Sequence, residues 1–426
     1  MSTNAYLILI LALLLAHWVL ELIVETLNLR HADPEIPAEF ADCYDAERYA
    51  KAQRYLRETT RFGLLQSALM LPLTIAFILL GGFTWLYVAA LAAAPNSTVL
   101  QGLVFAGSLT LLGQLVALPF TIVDTFVIEA RYGFNTTTVR TFIADRLKGL
   151  MLMVLIGAPI FALIVWLFDA LPYAWLWAWG AMAIIQFIML VIAPVVILPL
   201  FNTFTPLEPG PLREALETYA AAQEYRLSGI FKIDGSRRST RSNAYFTGIG
   251  RTKRIALYDT LIERHTPEEL TAVLAHEVGH CKLGHVRTGL TVSLAASLLM
   301  FGILALFVTQ PGLYAAFGIV ADPLPVYAGL IFFGFLYAPV NLVIGLLGNM
   351  LSRRHEYAAD AFAARTTGRP EAMIAALKKL TVHNLGNLTP HPLKVFLEYS
   401  HPPVLQRLAA LRDGGSFQAG RVSVSE

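Results

Sequence analysis

His276 and His280 flank Glu277 in the run His276-Glu277-Val278-Gly279-His280, whose residue types and spacing could do chemistry. Residues four apart share one face of a helix, so both imidazoles can reach the same ion. Glu277, one residue along from His276, is close enough to touch a water on that ion. A zinc ion with three protein ligands keeps a position open for water, acidifies that water and polarises a carbonyl. With a carboxylate beside it, this arrangement suits the hydrolysis of an amide. The plainer alternative is a pair of helical histidines satisfied by their neighbours.

A helix must present them. Thr266-Pro267-Glu268-Glu269 supplies an N-cap threonine, a proline in the first turn and a glutamate to close a capping box. Nothing downstream obviously stops this helix before the next apolar run; Gly284 and Gly289 only weaken it. From His280 to Thr288 is about 12 Å of helix. The sequence thus predicts one continuous helix, the cytoplasmic extension of a membrane span.

Composition places that span. The chain is 56% hydrophobic and 15% charged, with a mean hydropathy of +0.58, too apolar for a soluble domain. Seven stretches have the roughly 20 apolar residues a bilayer demands. They lie near 4–26, 63–90, 98–123, 147–169, 173–201, 288–309 and 325–348. Pro72, Pro119, Pro159, Pro194 and Pro339 fall inside them, as membrane helices tolerate. His17, Glu21 and Glu25 recur at one-turn spacing in the first stretch, so that stripe should face protein or water, or reach the interface. Lys and Arg crowd the 1–2 and 3–4 connections, the segment after the fifth span and the C-terminal tail, and avoid the other connections. Positive residues mark the cytoplasmic side, which puts the N-terminus outside and the C-terminus inside. The first span lacks the basic start and small-residue cleavage site of a signal peptide. Cys43 and Cys281 both fall on the cytoplasmic side, where a structural disulfide is not expected. A net charge of +2 gives no argument for a nucleic-acid partner.

Two polar regions remain, about 202–287 and 349–426. The first holds three strand-like runs, Ile230–Ile233, Ala244–Thr247 and Arg254–Tyr258. The second holds the best third ligand, Glu356, about 9 Å of helix beyond the end of the seventh span. Asp360, on the same helical face, could hold the far nitrogen of a ligand histidine. Alone, such an acidic pair reads as solvated surface; its depth, matching that of the histidine helix, favours the metal. A zinc ion near the cytoplasmic membrane surface suits a substrate that is itself membrane-bound.

Taken together, residues 276–280, Asn349…Ser352-Arg353…Glu356…Ala359-Asp360 and Ser400-His401-Pro402-Pro403 resemble the M48 metallopeptidases. Arg131-Tyr132-Gly133-Phe134-Asn135, the run 199–207 and the stretch from Asp234 through Ser242-Asn243-Ala244-Tyr245 to Gly248 resemble the Ste24 branch, the type I CAAX prenyl proteases. The likeness spans about 35–410. It implies a mainly α polytopic membrane protein, with seven tilted helices around a water-filled chamber and a cytoplasmic zincin-type (gluzincin) α+β catalytic domain. The parts would be spans one to five (1–201), catalytic segments 202–287 and 349–412 flanking spans six and seven (288–348), and a tail (413–426). His276, His280 and Glu356 would bind one zinc ion per chain, with Glu277 as general base and Asp360 behind the ligands. Asn243, Ala244 and Tyr245 would form an edge strand that pairs with extended substrate. His401 would donate to the oxyanion, unless it is merely a loop histidine braced by prolines. His285 matches a family position without an evident role, and Cys281 replaces a common aromatic.

The resemblance implies cleavage after a prenylated cysteine near a C-terminus. Short loops and an Ala-rich composition look bacterial, which would favour the inner membrane and turnover of membrane-associated peptides or proteins, prenylated or not. A transporter or scaffold would explain the intramembrane carboxylates and broken spans but not the capped helix with its acidic counterpart. An intramembrane protease would bury the motif in a fully apolar span, whereas Glu268, Glu269, Lys282 and Arg287 flank it here.

Overall fold

Glycine and proline decide where the apolar runs bend or stop. The computed structural model of the chain describes residues 4–247 and 254–414. Seven of its helices are long and apolar enough to cross a bilayer: Ala5–His31, Ala46–Leu79, Thr98–Glu129, Val139–Ala170, Ala174–Phe201, His285–Phe307 and Val326–Thr367. Each of the seven expected stretches lies on one of them. The second departs from its expected length. Instead of running through 63–90, the chain turns at Gly81 (φ +77°), a left-handed conformation that only glycine adopts without cost. Gly82–Ala93 then forms a separate short helix packed on the third span. Pro159 follows a widened helical turn, Met153–Gly157, and Pro194 lies within another, Ala193–Ile197. Such turns relieve the clash between a proline ring and the carbonyl four residues back.

Neighbouring spans touch in a closed circuit: first to second, second through the short helix to third, then in order to the seventh and back to the first. At one end an aromatic cluster of Phe83, Phe105, Phe317, Tyr327 and Phe332 plugs the circuit. Phe317 and Phe332 stack there at 3.8 Å. Midway along, residues 110–115 of the third span are all exposed. Six successive helical residues cover every face, so the inner face of this helix also meets open space. The inner face of the third span is therefore not packed against a neighbour at this height.

The polar regions fold against the other end. Four strands, β1 (Phe204–Pro206), β2 (Gly229–Ile233), β3 (Ala244–Thr247) and β4 (Arg254–Tyr258), pair in the order β1-β2-β4-β3. β2 and β4 run parallel; the two outer pairs are antiparallel. β3 and β4 fall where the sequence predicts them, and β1 is additional. The helix Pro267–Lys282 packs on this layer through Leu270, Leu274 and Val278.

The expectation of one unbroken helix from Thr266 into the sixth span is not met. Pro267–Lys282 ends at Leu283, and His285–Phe307 starts afresh after Gly284. Gly284 has φ +75°, and a β-carbon there would meet nothing within 4 Å. The break is thus a matter of backbone conformation and not of crowding. The seventh helix is the opposite case. It continues unbroken from Val326 to Thr367, well past the apolar part, and ends at Gly368 in the left-handed region (φ +63°).

Candidate metal centre

The capping box forms as the sequence predicts. Thr266 Oγ1 accepts from the Glu269 N–H at 3.3 Å, and the Glu269 carboxylate accepts from the Thr266 N–H at 3.1 Å. Lys379 Nζ then pairs with Glu269 at 2.7 Å, tying the helix start to the helix Pro370–His383. At the other end, Gly279 lets this helix approach the long seventh helix. A β-carbon at Gly279 would lie 3.2 Å from Ala359 Cα and from Phe362. The close crossing sets Glu356 against the two histidines.

Nitrogen atoms of His276 and His280 and a carboxylate oxygen of Glu356 all lie within 4.8 Å of one another. His276 Nε2 and His280 Nε2 are 3.1 Å apart; Glu356 lies 3.5 Å from the first and 3.3 Å from the second. Two ring nitrogens facing each other across a carboxylate call for a cation between them. Glu356 Oε2 is buried and accepts no hydrogen bond, an orphan that a metal would satisfy. Two imidazoles and one carboxylate are the three-ligand donor set that fits a catalytic metal site.

Asp360 lies one turn along the same helix from Glu356. Its Oδ1 lies 2.8 Å from His276 Nδ1, close but not aligned as a hydrogen bond. Behind it stands a residue that the sequence reading missed. Arg407 forks onto Asp360 through Nε (2.8 Å) and Nη2 (2.7 Å), and its Nη1 lies 3.4 Å from Glu356. Its sequence signal was faint: one charge on the buried face of Val404–Arg412, beside Leu408 and Leu411.

Glu277 is half-buried beside the group. Burial pushes its carboxyl above the ordinary range, while His276 and His280 pull the other way. Burial depresses His276, but Asp360 and Glu356 outweigh that and hold it at about 9. His401 is mostly exposed, with Nε2 3.4 Å from Glu356 Oε1. Asn349 and Arg353 explain their place in the motif: they donate to the carbonyls of Leu397 (3.0 Å) and Val395 (3.1 Å), fastening the short helix Pro392–Glu398 that leads to His401.

The remaining motifs meet around β3. Asn135 bridges Ser239, and the Thr240 N–H donates to the Phe134 carbonyl at 3.0 Å. Arg241 lies over the Phe134 ring at 4.3 Å and pairs with Glu129, at the end of the third span, at 2.8 Å. The Asn384 amide brackets Ser242, accepting from its N–H and donating to its carbonyl, each at 3.2 Å. Asn243 and the backbone of Ala244 and Tyr245 therefore follow a fastened segment into a sheet-edge strand. Gly248, the end of that motif, lies outside the described residues.

Seven spans joined to a buried His-His-Glu group define a polytopic membrane metallopeptidase. Residues 25–203 match the family described as CAAX prenyl protease N-terminal, five membrane helices, and residues 206–414 match peptidase family M48. The CAAX prenyl protease 1 homolog of Oryza sativa subsp. japonica is 36% identical over 391 residues, covering 90% of this chain and 91% of the relative. The CAAX prenyl protease 1 of Saccharomyces cerevisiae is 34% identical, covering 89% of each. The crystal structure of S. mikatae Ste24p superposes with a TM-score of 0.91 at 33% identity, covering 96% of this chain and all of that one. The chain belongs to peptidase family M48, among its Ste24-like members, and is a membrane metalloendopeptidase.

Proposed function

We propose that the chain is a zinc endopeptidase that cuts membrane-associated peptides and proteins, including C-terminal segments bearing a prenylated CAAX-type cysteine. The convergence of His276, His280 and Glu356 beside Glu277 carries this reading. The names of the relatives support the prenylated class. The distribution of Lys and Arg supports a cytoplasmic catalytic region and an outside N-terminus, in a bacterial inner membrane by the chain's composition.

A zinc ion held by His276, His280 and Glu356 supplies Lewis acidity toward the scissile carbonyl and a water. Glu277 takes a proton from the attacking water and delivers it to the leaving amine nitrogen. Its raised proton affinity suits that return. His401 donates to the developing oxyanion. The free edge of β3 pairs with the substrate backbone in extended form, a mode that reads few side chains. This agrees with a broad substrate range.

The test is cleavage of matched peptides with and without a farnesylated cysteine by the detergent-purified protein. Preference for the farnesylated peptide supports CAAX-type processing; equal cleavage supports general turnover; cleavage of neither refutes the proposal.

Metal binding should also be proton-linked. With His276 held at about 9, its ion pair with Asp360 and Glu356 is complete below the ordinary histidine pKa and is lost as pH rises through about 9. A metal must displace that proton. Affinity should therefore climb about tenfold per pH unit per displaced proton up to that value. Calorimetry at pH 7.5 in buffers of different ionisation enthalpy should find at least one proton released per zinc ion. Zero release would contradict the ion-paired state.

A further inference from the structure

His285 matches a recurrent position but has no part in the chemistry above. We infer that it is the positioning residue for His280, accepting the proton on that ligand's far nitrogen, and that the helix break at Gly284 exists to bring it there. The inference rests on the reading that His280 binds a metal.

The geometry is specific. His280 Nε2 points to His276 and Glu356, so the metal side of this ring is Nε2. Its other nitrogen, Nδ1, lies 3.0 Å from Nδ1 of His285. A metal-bound neutral imidazole carries its only proton on the far nitrogen. His280 Nδ1–H therefore donates, His285 Nδ1 accepts, and the proton of His285 sits on Nε2. The ring of His285 is held in turn by His355, stacked parallel to it at 3.9 Å with 5° between the planes. His355 precedes the candidate ligand Glu356 on the long helix, so the helix that carries Glu356 also carries this support.

A straight helix could not make the contact. Five residues at 100° each place the second side chain about 140° around the axis from the first. The left-handed turn at Gly284 (φ +75°) swings the new helix so that its first residue comes back over His280. Because a β-carbon at Gly284 would touch nothing, packing does not demand the break. Asp360, beside His276 Nδ1, and His285, on His280 Nδ1, thus back the two ligand rings from opposite elements. Groups on the far nitrogens of ligand histidines fix tautomer and ring orientation, and losing one typically costs 10–100-fold in metal affinity.

The test compares zinc affinity, by competition with a chromophoric chelator, in full-length detergent-solubilised wild type, three variants of His285 and one of His280. His285→Ala removes the acceptor. His285→Leu and His285→Asn have nearly the same shape, but only Asn places an oxygen where Nδ1 was. Expected are affinities lowered about 10–100-fold in Ala and Leu and restored to within a few-fold of wild type in Asn. Thermal midpoints of the metal-free proteins should not follow that order. Equal affinities for Leu and Asn would overturn the inference, even if Ala fails to fold. His280→Ala isolates the underlying reading: if it binds zinc as wild type does, the metal site is misassigned and the role of His285 falls with it. A weakened His280→Ala alongside unchanged His285 variants would refute the positioning role alone.

Discussion

Glu277→Gln should lower peptide hydrolysis by about 10²–10⁴-fold, the range for losing a positioned general base. Zinc should still bind at one equivalent. The two halves of this expectation have separate causes. Hydrolysis needs an acceptor for the water's proton, and an amide cannot serve. Binding, on the proposed reading, needs His276, His280 and Glu356, whose contacts with one another do not pass through Glu277. Stability gives a third readout with a definite sign. Burial raises the Glu277 pKa above its ordinary value, so the folded protein loses stability as pH rises from the unfolded pKa through the folded one. Gln carries no charge to desolvate. The metal-free variant should therefore be at least as stable as wild type at pH 8, measured by thermal denaturation in detergent. A variant that is inactive because it lost zinc, or that melts lower at pH 8, would assign Glu277 a structural role.

The parts of this molecule legible in sequence are those whose signal is local. The capping box at Thr266–Glu269, the i,i+4 histidines and the short strand-like runs of β3 and β4 each fix structure within a few residues, and each stands where the sequence predicts it. That Glu356 lies at the depth of the two histidines could be read because span length and helix rise convert directly into depth. What escaped depends on other elements. Gly284 in an apolar helical pattern costs helix stability without dictating left-handed φ; that choice is made where the sixth span must leave the catalytic helix at a new angle. Gly81 divides the second apolar stretch for the same kind of reason. β1 is only three residues long and pairs with β2 from across a helix, so periodicity has nothing to register. Arg407 lies 47 residues from Asp360 and looks like a helical surface charge until the fold closes over it.

Arg407→Met should be among the most damaging single changes in the soluble part. Glu356 and Asp360 sit one helical turn apart with side chains 6% and 3% exposed, and Arg407, itself 10% exposed, touches both, as His276 does from the other side. Removing one partner of a buried charge cluster leaves the others unpaired and costs about 3–5 kcal/mol. Part of that cost can be escaped. Burial already pushes the Asp360 carboxyl up, and chiefly Arg407, with His276, holds it down. Without the guanidinium Asp360 should take up a proton, and its grip on His276 Nδ1 weakens. Zinc affinity should then fall by about 10–100-fold, as for loss of any group that orients a ligand ring. Arg407→Lys keeps the charge but not the two-pronged contact, so it should fall between Met and wild type. The double variant Arg407→Met with Asp360→Asn separates charge from packing. If the penalty is an orphaned carboxylate, neutralising Asp360 recovers part of the thermal stability lost in Arg407→Met. If the double variant melts no higher than the single one, Arg407 acts by filling space, and its fork onto Asp360 does not stabilise the metal centre.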